Sequence, residues 1–401
     1  MDRLDVRIQK LVQGGDGFAV APDGRAMFVA GALPGELVSC RTTQQKKNYL
    51  RAEVLEIVEP SSERVEPPCP YYGRCGGCNL MHLASGAQAA AKRSIVLENL
   101  RRIGGLSQND GLLIDDCEEY GINNPYWGYR SRVRFHVDQI TGSVGFLGAG
   151  SADLVDIRHC PVLTPALEGL LDGGREELVR RAFPMSSGLG HDGRRPGPTR
   201  TGASRRYAEI PVIAGDLELS FNSDIVGLTV AGRMFYVDSS VFFQSNRFVL
   251  PSLVSFVTAH VVGTRVMDLY SGVGTFSAFL EREGLEVVAV ERELRCLELA
   301  RRNLSRTEFF TGAVERWGVG RHPSVDTVVV DPPRVGLDAG VPGMIASWRP
   351  RRIIYVSCDS VTLARDLQKF IQQGYSPVMV KVFDFYPQTF HQETVLVLDR
   401  E

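Results

Sequence analysis

The stretch VMDLYSGVGTF, residues 266–276, decides the fold because a buried strand runs there into glycines and then into a helix. Glycines at such a turn let the backbone approach a ligand closely, but dinucleotide-binding enzymes use similar loops. The next apolar run, LEVVAVE, ends in Glu291, and an acid at that position can hydrogen-bond both hydroxyls of an adenosine ribose. This order of aspartate, glycines and a later acid favours S-adenosylmethionine over NAD as the cofactor.

Strands and helices alternate around this loop, from about residue 240 to the end of the chain. The apolar runs VMDLYS, LEVVAVE, TVVVDPP, RRIIYVS and TVLVLDR have the length of buried strands, and segments 292–304 and 360–372 carry helical spacing. Alternation of this kind predicts a mostly parallel sheet with helices on both faces. We therefore predict a Rossmann-like α/β domain over residues 241–401, with its ligands beyond the carboxyl ends of the strands.

Two chemically distinctive residues stand at the tips of later strands. Asp331 opens an Asp-Pro-Pro-Arg sequence, in which the prolines stop the strand and present the carboxylate at the rim where substrate and cofactor meet. The motif is typical of methyltransferases that act on nucleobases and amide nitrogens, although a bare turn is the alternative. Cys358 ends the run IIYVSC just before a helix N-cap, where backbone dipoles favour the thiolate that a nucleophile needs. Taken alone, the same cysteine fits a core position equally well.

The closing strand is preceded by the sequence FDFYPQTFHQET, residues 383–394. Glu393 would project from the start of that strand, close enough to the other strand tips to serve as a base. A surface glutamate or a strand-end salt bridge is the alternative interpretation. We interpret His391 as a structural residue.

Residues 1–60 alternate short β-type runs with Gly-Asp-Gly, Pro-Asp-Gly and Pro-Gly turns, which predicts a small antiparallel barrel. Its segment 41–51 holds four basic residues and a tyrosine with no acid. An edge that grips a nucleic-acid backbone has this composition, and so does a solvated hairpin.

Residues 61–240 form the predicted central domain. It has helical spacing over residues 85–103 and a β-rich stretch over residues 126–160. Residues 184–206, rich in Gly, Pro, Ser and Arg, predict a flexible loop.

Within the β-rich stretch, a period of two places Arg130, Arg132 and Arg134 on one face of a strand. Next to Tyr126 and Trp127, three aligned arginines would suit single-stranded RNA, because guanidinium groups hold phosphate and aromatic rings stack on bases. A half-buried strand with a charged outer face is the alternative.

The cysteines at the start of the central domain crowd together in the spacing Cys69-x5-Cys75-x2-Cys78. Zinc ribbons usually show two matched C-x2-C pairs, and only one is present. A fourth ligand must come from elsewhere, and Cys160 is the natural candidate because proline follows it, as in many iron–sulfur loops. The pattern favours a 4Fe-4S cluster over zinc. Three other cysteines, at positions 40, 117 and 296, lie in ordinary strand, loop or helix patterns and have no visible partners in the sequence.

Composition excludes some classes of protein. The 401 residues are 44% hydrophobic and 23% charged, which is ordinary for globular domains and excludes disorder throughout. The 45 basic and 47 acidic residues nearly cancel, so net charge gives no argument for a nucleic-acid partner. Because the charged N-terminus leads into no apolar run, we expect neither secretion nor membrane insertion, and therefore a cytoplasmic protein. We also expect the protein to be a monomer.

Together these features resemble the bacterial uracil-5 RNA methyltransferases, in the branch that carries an N-terminal TRAM barrel and an iron–sulfur cluster and is typified by the 23S ribosomal RNA enzymes. The resemblance extends over nearly the whole chain, from the barrel and the four cysteines through FQSN at residues 243–246 to the terminal His-x-Glu. It implies that Cys358 is the nucleophile and Glu393 the base. The cofactor contacts that it implies are Gln244, Tyr270, Gly272, Thr275, Glu291 and Asp331. Thr275 departs from the family, which often has asparagine there.

The resemblance also implies the reaction: methyl transfer to carbon 5 of a uridine, with RNA as the partner. We expect 23S ribosomal RNA as the target, and transfer RNA is the alternative. A different enzyme would methylate a protein or nucleobase nitrogen without forming a covalent adduct. A non-catalytic alternative is an iron–sulfur protein that only binds RNA.

Overall fold

A computed structural model describes residues 3–107, 112–115, 126–183, 207–321 and 323–401 of the chain. The predicted loop at 184–206 and Cys117 lie outside the described residues. Within those ranges, no helix combines the length and the apolar character that crossing a membrane requires.

The N-terminal sheet has six strands: β1 (Arg3–Arg7), β2 (Lys10–Leu11), β3 (Gly17–Val20), β4 (Ala26–Ala30), β5 (Leu37–Gln45) and β6 (Tyr49–Glu59). They pair in the order β1-β5-β6-β4-β3-β2. The two end strands of this order follow each other directly in the chain, so the sheet closes into a barrel around alternate residues such as Met27 and Val29. The predicted barrel is confirmed, except that β4 and β6 run parallel.

The described residues in the middle of the chain contribute a second sheet and three helices. Its elements are α1 (Ser85–Arg102), β7 (Leu113–Ile114), β8 (Arg132–Asp138), β9 (Val144–Leu147), β10 (Leu154–Asp156), α2 (Pro165–Asp172), α3 (Arg175–Ala182), β11 (Tyr207–Ala214), β12 (Leu219–Phe221), β13 (Val226–Val230) and β14 (Arg233–Val237). One sheet has the order β10-β9-β8-β11-β12, and β13 and β14 form a hairpin. In β8, Val133 and Phe135 are buried while Arg134 is exposed, as the period of two predicts.

The C-terminal part alternates helices and strands. Its elements are α4 (Leu250–Ala259), β15 (Arg265–Leu269), α5 (Thr275–Leu280), β16 (Glu286–Glu291), α6 (Leu294–Asn303), β17 (Glu308–Thr311), α7 (Val314–Trp317), β18 (Thr327–Val330), α8 (Val341–Ser347), β19 (Arg352–Ser357), α9 (Ser360–Gln372), β20 (Tyr375–Phe383) and β21 (Glu393–Arg400). Together with β7 they build an eight-stranded sheet of order β17-β16-β15-β18-β19-β21-β20-β7.

This large sheet is mostly parallel and covered on both faces, as predicted. β15 to β19 all run parallel, and only β21 is antiparallel to its neighbours. Alternate residues of β19 enter two separate hydrophobic clusters: Ile354 and Val356 enter one, and Ile353 and Tyr355 the other. The strand order reverses between β15 and β18, and ligand-binding crevices of such sheets lie at that point.

Helix α1 connects the middle of the chain to this sheet. Its Val96 and Leu100 share a hydrophobic cluster with residues of α9. One turn earlier, Lys92 is fully buried, and its Nζ donates to Asp384 Oδ1 at 2.5 Å and to the Tyr386 carbonyl oxygen at 2.9 Å. Asp384 is fully buried as well, so this ion pair is removed from water.

Replacing Lys92 with methionine is expected to lower the free energy of unfolding by about 3–5 kcal/mol, because the buried Asp384 carboxylate loses its counter-charge. Urea denaturation at fixed pH would measure the change. The double variant Lys92→Met/Asp384→Asn removes both charges and is expected to recover most of the lost stability. An equal loss in the single and double variants would contradict this account of the pair.

Candidate active site

The loops after β15 and β18 lie side by side where the strand order reverses. Leu269 and Val330, the last residues of these strands, are paired in register. The amide of Asp331 donates to the carbonyl oxygen of Leu269 at 3.3 Å. The motif residues that follow each strand therefore meet at one edge of the sheet, where the sequence predicts the ligand.

The glycine loop after β15 has a backbone that few residues adopt. Tyr270 has a φ of 62°, which is uncommon for a residue with a side chain, and Gly274 has a φ of 84°. A Cβ on Gly274 would lie 2.5 Å from Leu304, so only glycine fits there. The buried Asp268 carboxylate accepts hydrogen bonds from the Ser277 amide at 3.1 Å and hydroxyl at 2.6 Å, which ties the end of β15, just before the loop, to helix α5.

Glu291 is held against this loop from the tip of β16. One of its carboxylate oxygens accepts from the Gly272 amide at 2.9 Å. The other accepts from the amides of Arg292 at 2.8 Å and Glu293 at 2.7 Å. The acid predicted to meet a ribose is thus fixed beside the glycines, and Thr275 follows as the first residue of α5.

Two buried polar atoms, one on Gln244 and one in the glycine loop, fit a polar ligand. Gln244 Oε1 and Ser271 Oγ are buried, and neither has a hydrogen-bond partner among the described residues. Such atoms are costly unless something hydrogen-bonds them. S-adenosylmethionine carries an ammonium group and hydroxyls that can donate to both, so the residues present fit this cofactor.

The closing strand brings a second acid to the same edge. β21 inserts between β19 and β20, pairing Ser357 with Thr394 and Phe383 with Glu393. Cys358, the first residue after β19, therefore lies next to Glu393, the first residue of β21.

Glu393 is buried and Asp331 is partly buried, and the pKa values of both acids are raised. Burial raises the pKa of Glu393 well above its usual value, and the charge of Asp331 raises it further. Burial, followed by the charge of Asp268, raises the pKa of Asp331 to about 7. Since Glu393 is only 2% exposed, the surface-glutamate interpretation is wrong. Its Oε2 has no hydrogen-bond partner within the described parts of the chain.

The predicted stabilisation of the Cys358 thiolate by helix dipoles is wrong for this state of the protein. Burial raises the pKa of the thiol to about 12, and the neighbouring Glu393 and Asp331 charges add to the effect. The backbone amides of Val361 and Thr362, at the start of α9, donate to the Asp359 side chain instead of to the thiol. The thiol is protonated until a neighbouring group takes its proton.

The four predicted metal-binding cysteines, Cys69, Cys75, Cys78 and Cys160, line one pocket that is partly open to solvent. Burial, together with neighbouring cysteines, raises the pKa of Cys78 to about 12 and that of Cys160 to about 11. In the described residues, no three His, Cys, Asp or Glu side chains are grouped closely enough to hold a single metal ion. The sulfurs therefore surround a shared space without converging on one point.

Comparisons with known proteins identify the family. A model of tRNA (uracil-5-)-methyltransferases matches residues 321–401, and a TRAM domain model matches residues 2–55. An uncharacterized RNA methyltransferase of Treponema denticola is 30% identical, over 98% of each chain. One of Streptomyces coelicolor is 32% identical, over 99% of this chain and 93% of the relative. The chain belongs to the RNA (uracil-5-)-methyltransferase family.

A solved structure has the same fold over nearly the whole methyltransferase. The Pyrococcus abyssi tRNA (uracil-54, C5)-methyltransferase, in complex with S-adenosyl-L-homocysteine, matches with a TM-score of 0.71 at 22% identity. The match covers 98% of this chain and 100% of that one. The protein is thus an S-adenosylmethionine-dependent RNA methyltransferase with an N-terminal TRAM domain and a C-terminal methyltransferase domain.

Two groups of residues around the methyltransferase site were not predicted from the sequence. Arg334 ends the Asp-Pro-Pro-Arg motif, and its charge lowers the pKa of both Cys358 and Glu393, although burial outweighs it. Its place in the motif was the available signal. Lys92 and Asp384 have no local signal, because they are 292 positions apart in the chain.

Proposed function

We propose that this methyltransferase transfers a methyl group from S-adenosylmethionine to carbon 5 of a uridine in RNA, through a covalent bond from Cys358 to carbon 6. The observation that carries the proposal is the strand register that sets Cys358 beside the buried Glu393, with Asp331 at the next strand tip. A nucleophile and a base at one edge are what carbon-5 methylation requires. Methylation of a nitrogen would need no such pair.

The first step activates the uracil ring. Carbon 5 is too weak a nucleophile to attack a sulfonium, so Cys358 Sγ adds to carbon 6 and the electrons of the double bond move toward carbon 5 and the carbonyl. Because the thiol has a pKa of about 12, its proton leaves as the sulfur–carbon bond forms. Asp331 is one of the two carboxyls whose charges act on the thiol, and it is the proposed acceptor, so that Glu393 stays free for the last step.

The cofactor residues follow from the motifs and the crevice. When bound, S-adenosylmethionine supplies the electrophilic methyl group. The residues proposed to hold it are Gln244, Tyr270, Gly272, Thr275, Glu291 and Asp331. The unpartnered Gln244 Oε1 and the Glu291 carboxylate beside the glycines support this assignment.

The last step restores the ring. Glu393 removes the proton from carbon 5, the carbon 5–carbon 6 double bond re-forms, and the carbon–sulfur bond breaks to return the Cys358 thiolate. A carboxylate whose pKa is raised by burial is a stronger base than an exposed one, which suits Glu393 to this task. Because ring atoms are inaccessible in a stacked helix, the uridine has to be flipped out.

Basic and aromatic side chains outside the crevice support an RNA substrate. On the barrel segment 41–51, Lys46 and Lys47 are exposed. On the second sheet, the Arg132 guanidinium lies 5.7 Å from the ring centre of Phe242, which is 58% exposed. We propose that phosphates meet the lysines and that bases meet the arginine–aromatic surface.

We also propose that Cys69, Cys75, Cys78 and Cys160 hold a 4Fe-4S cluster. The support for this assignment is that the four cysteines, in the spacing that favours such a cluster, line one shared pocket. A bound cation would also favour the thiolates that burial disfavours. The cluster would hold the segments around Cys78 and Cys160 together.

For the RNA target we propose 23S ribosomal RNA, on the resemblance to the branch with the TRAM barrel and the cysteine cluster. Transfer RNA is the second candidate, favoured by the structural similarity to a tRNA methyltransferase. Mapping 5-methyluridine in cells with and without the gene should show one ribosomal uridine losing its mark upon deletion. Loss of the mark from transfer RNA alone would overturn the ribosomal assignment, and no loss anywhere would overturn the proposed activity.

Replacing Glu393 with glutamine is expected to trap the methylated covalent adduct, because the carbon 5 proton can no longer be removed. With S-adenosylmethionine that carries a radioactive methyl group, the adduct should survive a denaturing gel and carry the label. The matched control, Glu393→Gln with Cys358→Ala, should form none. An active Cys358→Ala enzyme would contradict the covalent mechanism.

Purified without oxygen, the protein is expected to contain about four irons per chain and to absorb visible light. Cys160→Ser should lose most of both signals, whereas Cys296→Ser, which alters a buried cysteine of α6 outside the pocket, should retain them. One zinc per chain with no iron would show that the cluster assignment is wrong.

A further inference from the structure

Helix α1 presents a row of polar side chains to the segments that carry the catalytic pair. Gln88, Lys92 and Asn99 are spaced by four and seven residues, which places them on one face of the helix. Gln88 and Lys92 contact residues 384–392, the loop that precedes Glu393. Asn99 Nδ2 donates to Ser360 Oγ at 2.8 Å, two residues after Cys358.

Gln88 holds the loop at an unusual backbone position. Gln388 has a φ of 71°, in the left-handed region that residues other than glycine rarely adopt. Its amide donates to Gln88 Oε1 at 2.7 Å, and Gln88 Nε2 donates back to Gln388 Oε1 at 3.0 Å. The carbonyl oxygen of Gln388 accepts from the amides of Asn79 and Leu80.

Lys92 holds the same loop near its beginning. Its Nζ bridges the Asp384 carboxylate and the Tyr386 carbonyl oxygen, so one buried charge fixes two points of the backbone. The opposite side of the loop is held by the Tyr129 hydroxyl, which donates to the Pro387 carbonyl oxygen at 2.8 Å. Hydrogen bonds from Gln88, Lys92 and Tyr129 thus hold the loop at several points before β21 begins at Glu393.

The position of Glu393 depends on this loop because its own side chain is weakly anchored. Its Oε2 is buried without a hydrogen-bond partner in the part of the chain that is described. Backbone pairing to β19 and β20 sets where its Cα lies, and the loop sets how the strand enters that pairing. A shift of the loop would therefore move the carboxylate.

We propose that Lys92 and Asp384, together with Gln88, are positioning residues that hold Glu393 against carbon 5 of the covalent RNA adduct. This inference rests on the proposed function and deepens it. In the step concerned, the Glu393 carboxylate takes the carbon 5 proton, the double bond re-forms and the bond to Cys358 breaks. Formation of that bond and methylation precede this step, so a displaced Glu393 slows release and leaves the earlier steps intact.

The test uses the full-length double variant Lys92→Met/Asp384→Asn, in which no buried charge is left without a partner. Turnover on the RNA substrate is expected to fall by about tenfold to a hundredfold. The methylated, gel-stable adduct should rise severalfold above the wild-type level, while the KM for S-adenosylmethionine stays within about twofold. Gln88→Met, which keeps the ion pair, should show the same pattern in weaker form.

Val96→Ala is the matched control, because Val96 is buried on the same helix but packs in the cluster shared with α9. It should lose stability without accumulating adduct. Normal turnover of the folded double variant, or slow turnover without adduct, would overturn the positioning role. If Glu393→Gln traps adduct and the double variant does not, this inference alone fails. If neither traps adduct, the proposed mechanism fails and this inference falls with it.

Discussion

The antiparallel insertion of β21 between β19 and β20 is the constraint on which the catalytic arrangement depends. Parallel strands bring their carboxyl ends to one edge of the sheet, and this places Asp331 and Cys358 near each other. Only a strand that runs the opposite way can bring its first residue to that edge. Glu393 is that first residue, so backbone hydrogen bonds, rather than flexible side chains, fix the distance between the proposed base and nucleophile.

This placement has an electrostatic consequence. Asp268 and Glu393 are buried and Asp331 is partly buried, and the pKa values of Asp331 and Glu393 are raised by burial and by a neighbouring acid. Carboxyls placed together in this way bind protons more readily than exposed acids do, because several of them cannot all be charged at once. The same surroundings favour the protonated Cys358 thiol. Carboxyls that bind protons readily suit chemistry in which one proton leaves the thiol and another leaves carbon 5.

Periodicity and motif order were sufficient to predict the parallel sheet, the barrel, helices α1, α6 and α9, and the strand-tip positions of Asp331 and Cys358. Those features depend on local sequence. The protonation state of the Cys358 thiol was not predictable, because it depends on burial and on charges from two distant strands. In addition, the helix amides that were expected to stabilise the thiolate donate to the Asp359 side chain. The pairing of Lys92 with Asp384 was equally hidden, since a lysine on a helix usually faces solvent and only the tertiary fold buries it.

The middle of the chain connects the cysteine pocket to the chemistry through backbone contacts. The amide of Arg130 donates to the carbonyl oxygen of Val162, two residues after Cys160, and the next amide, of Ser131, donates to Ser245, beside Gln244. The Tyr129 hydroxyl reaches the loop before Glu393. Three successive residues thus connect the cysteine segment, the cofactor segment and the base-bearing loop. These hydrogen bonds come from one short segment, so the role that we propose for the cysteine pocket is to hold this segment in place, without taking part in the reaction itself.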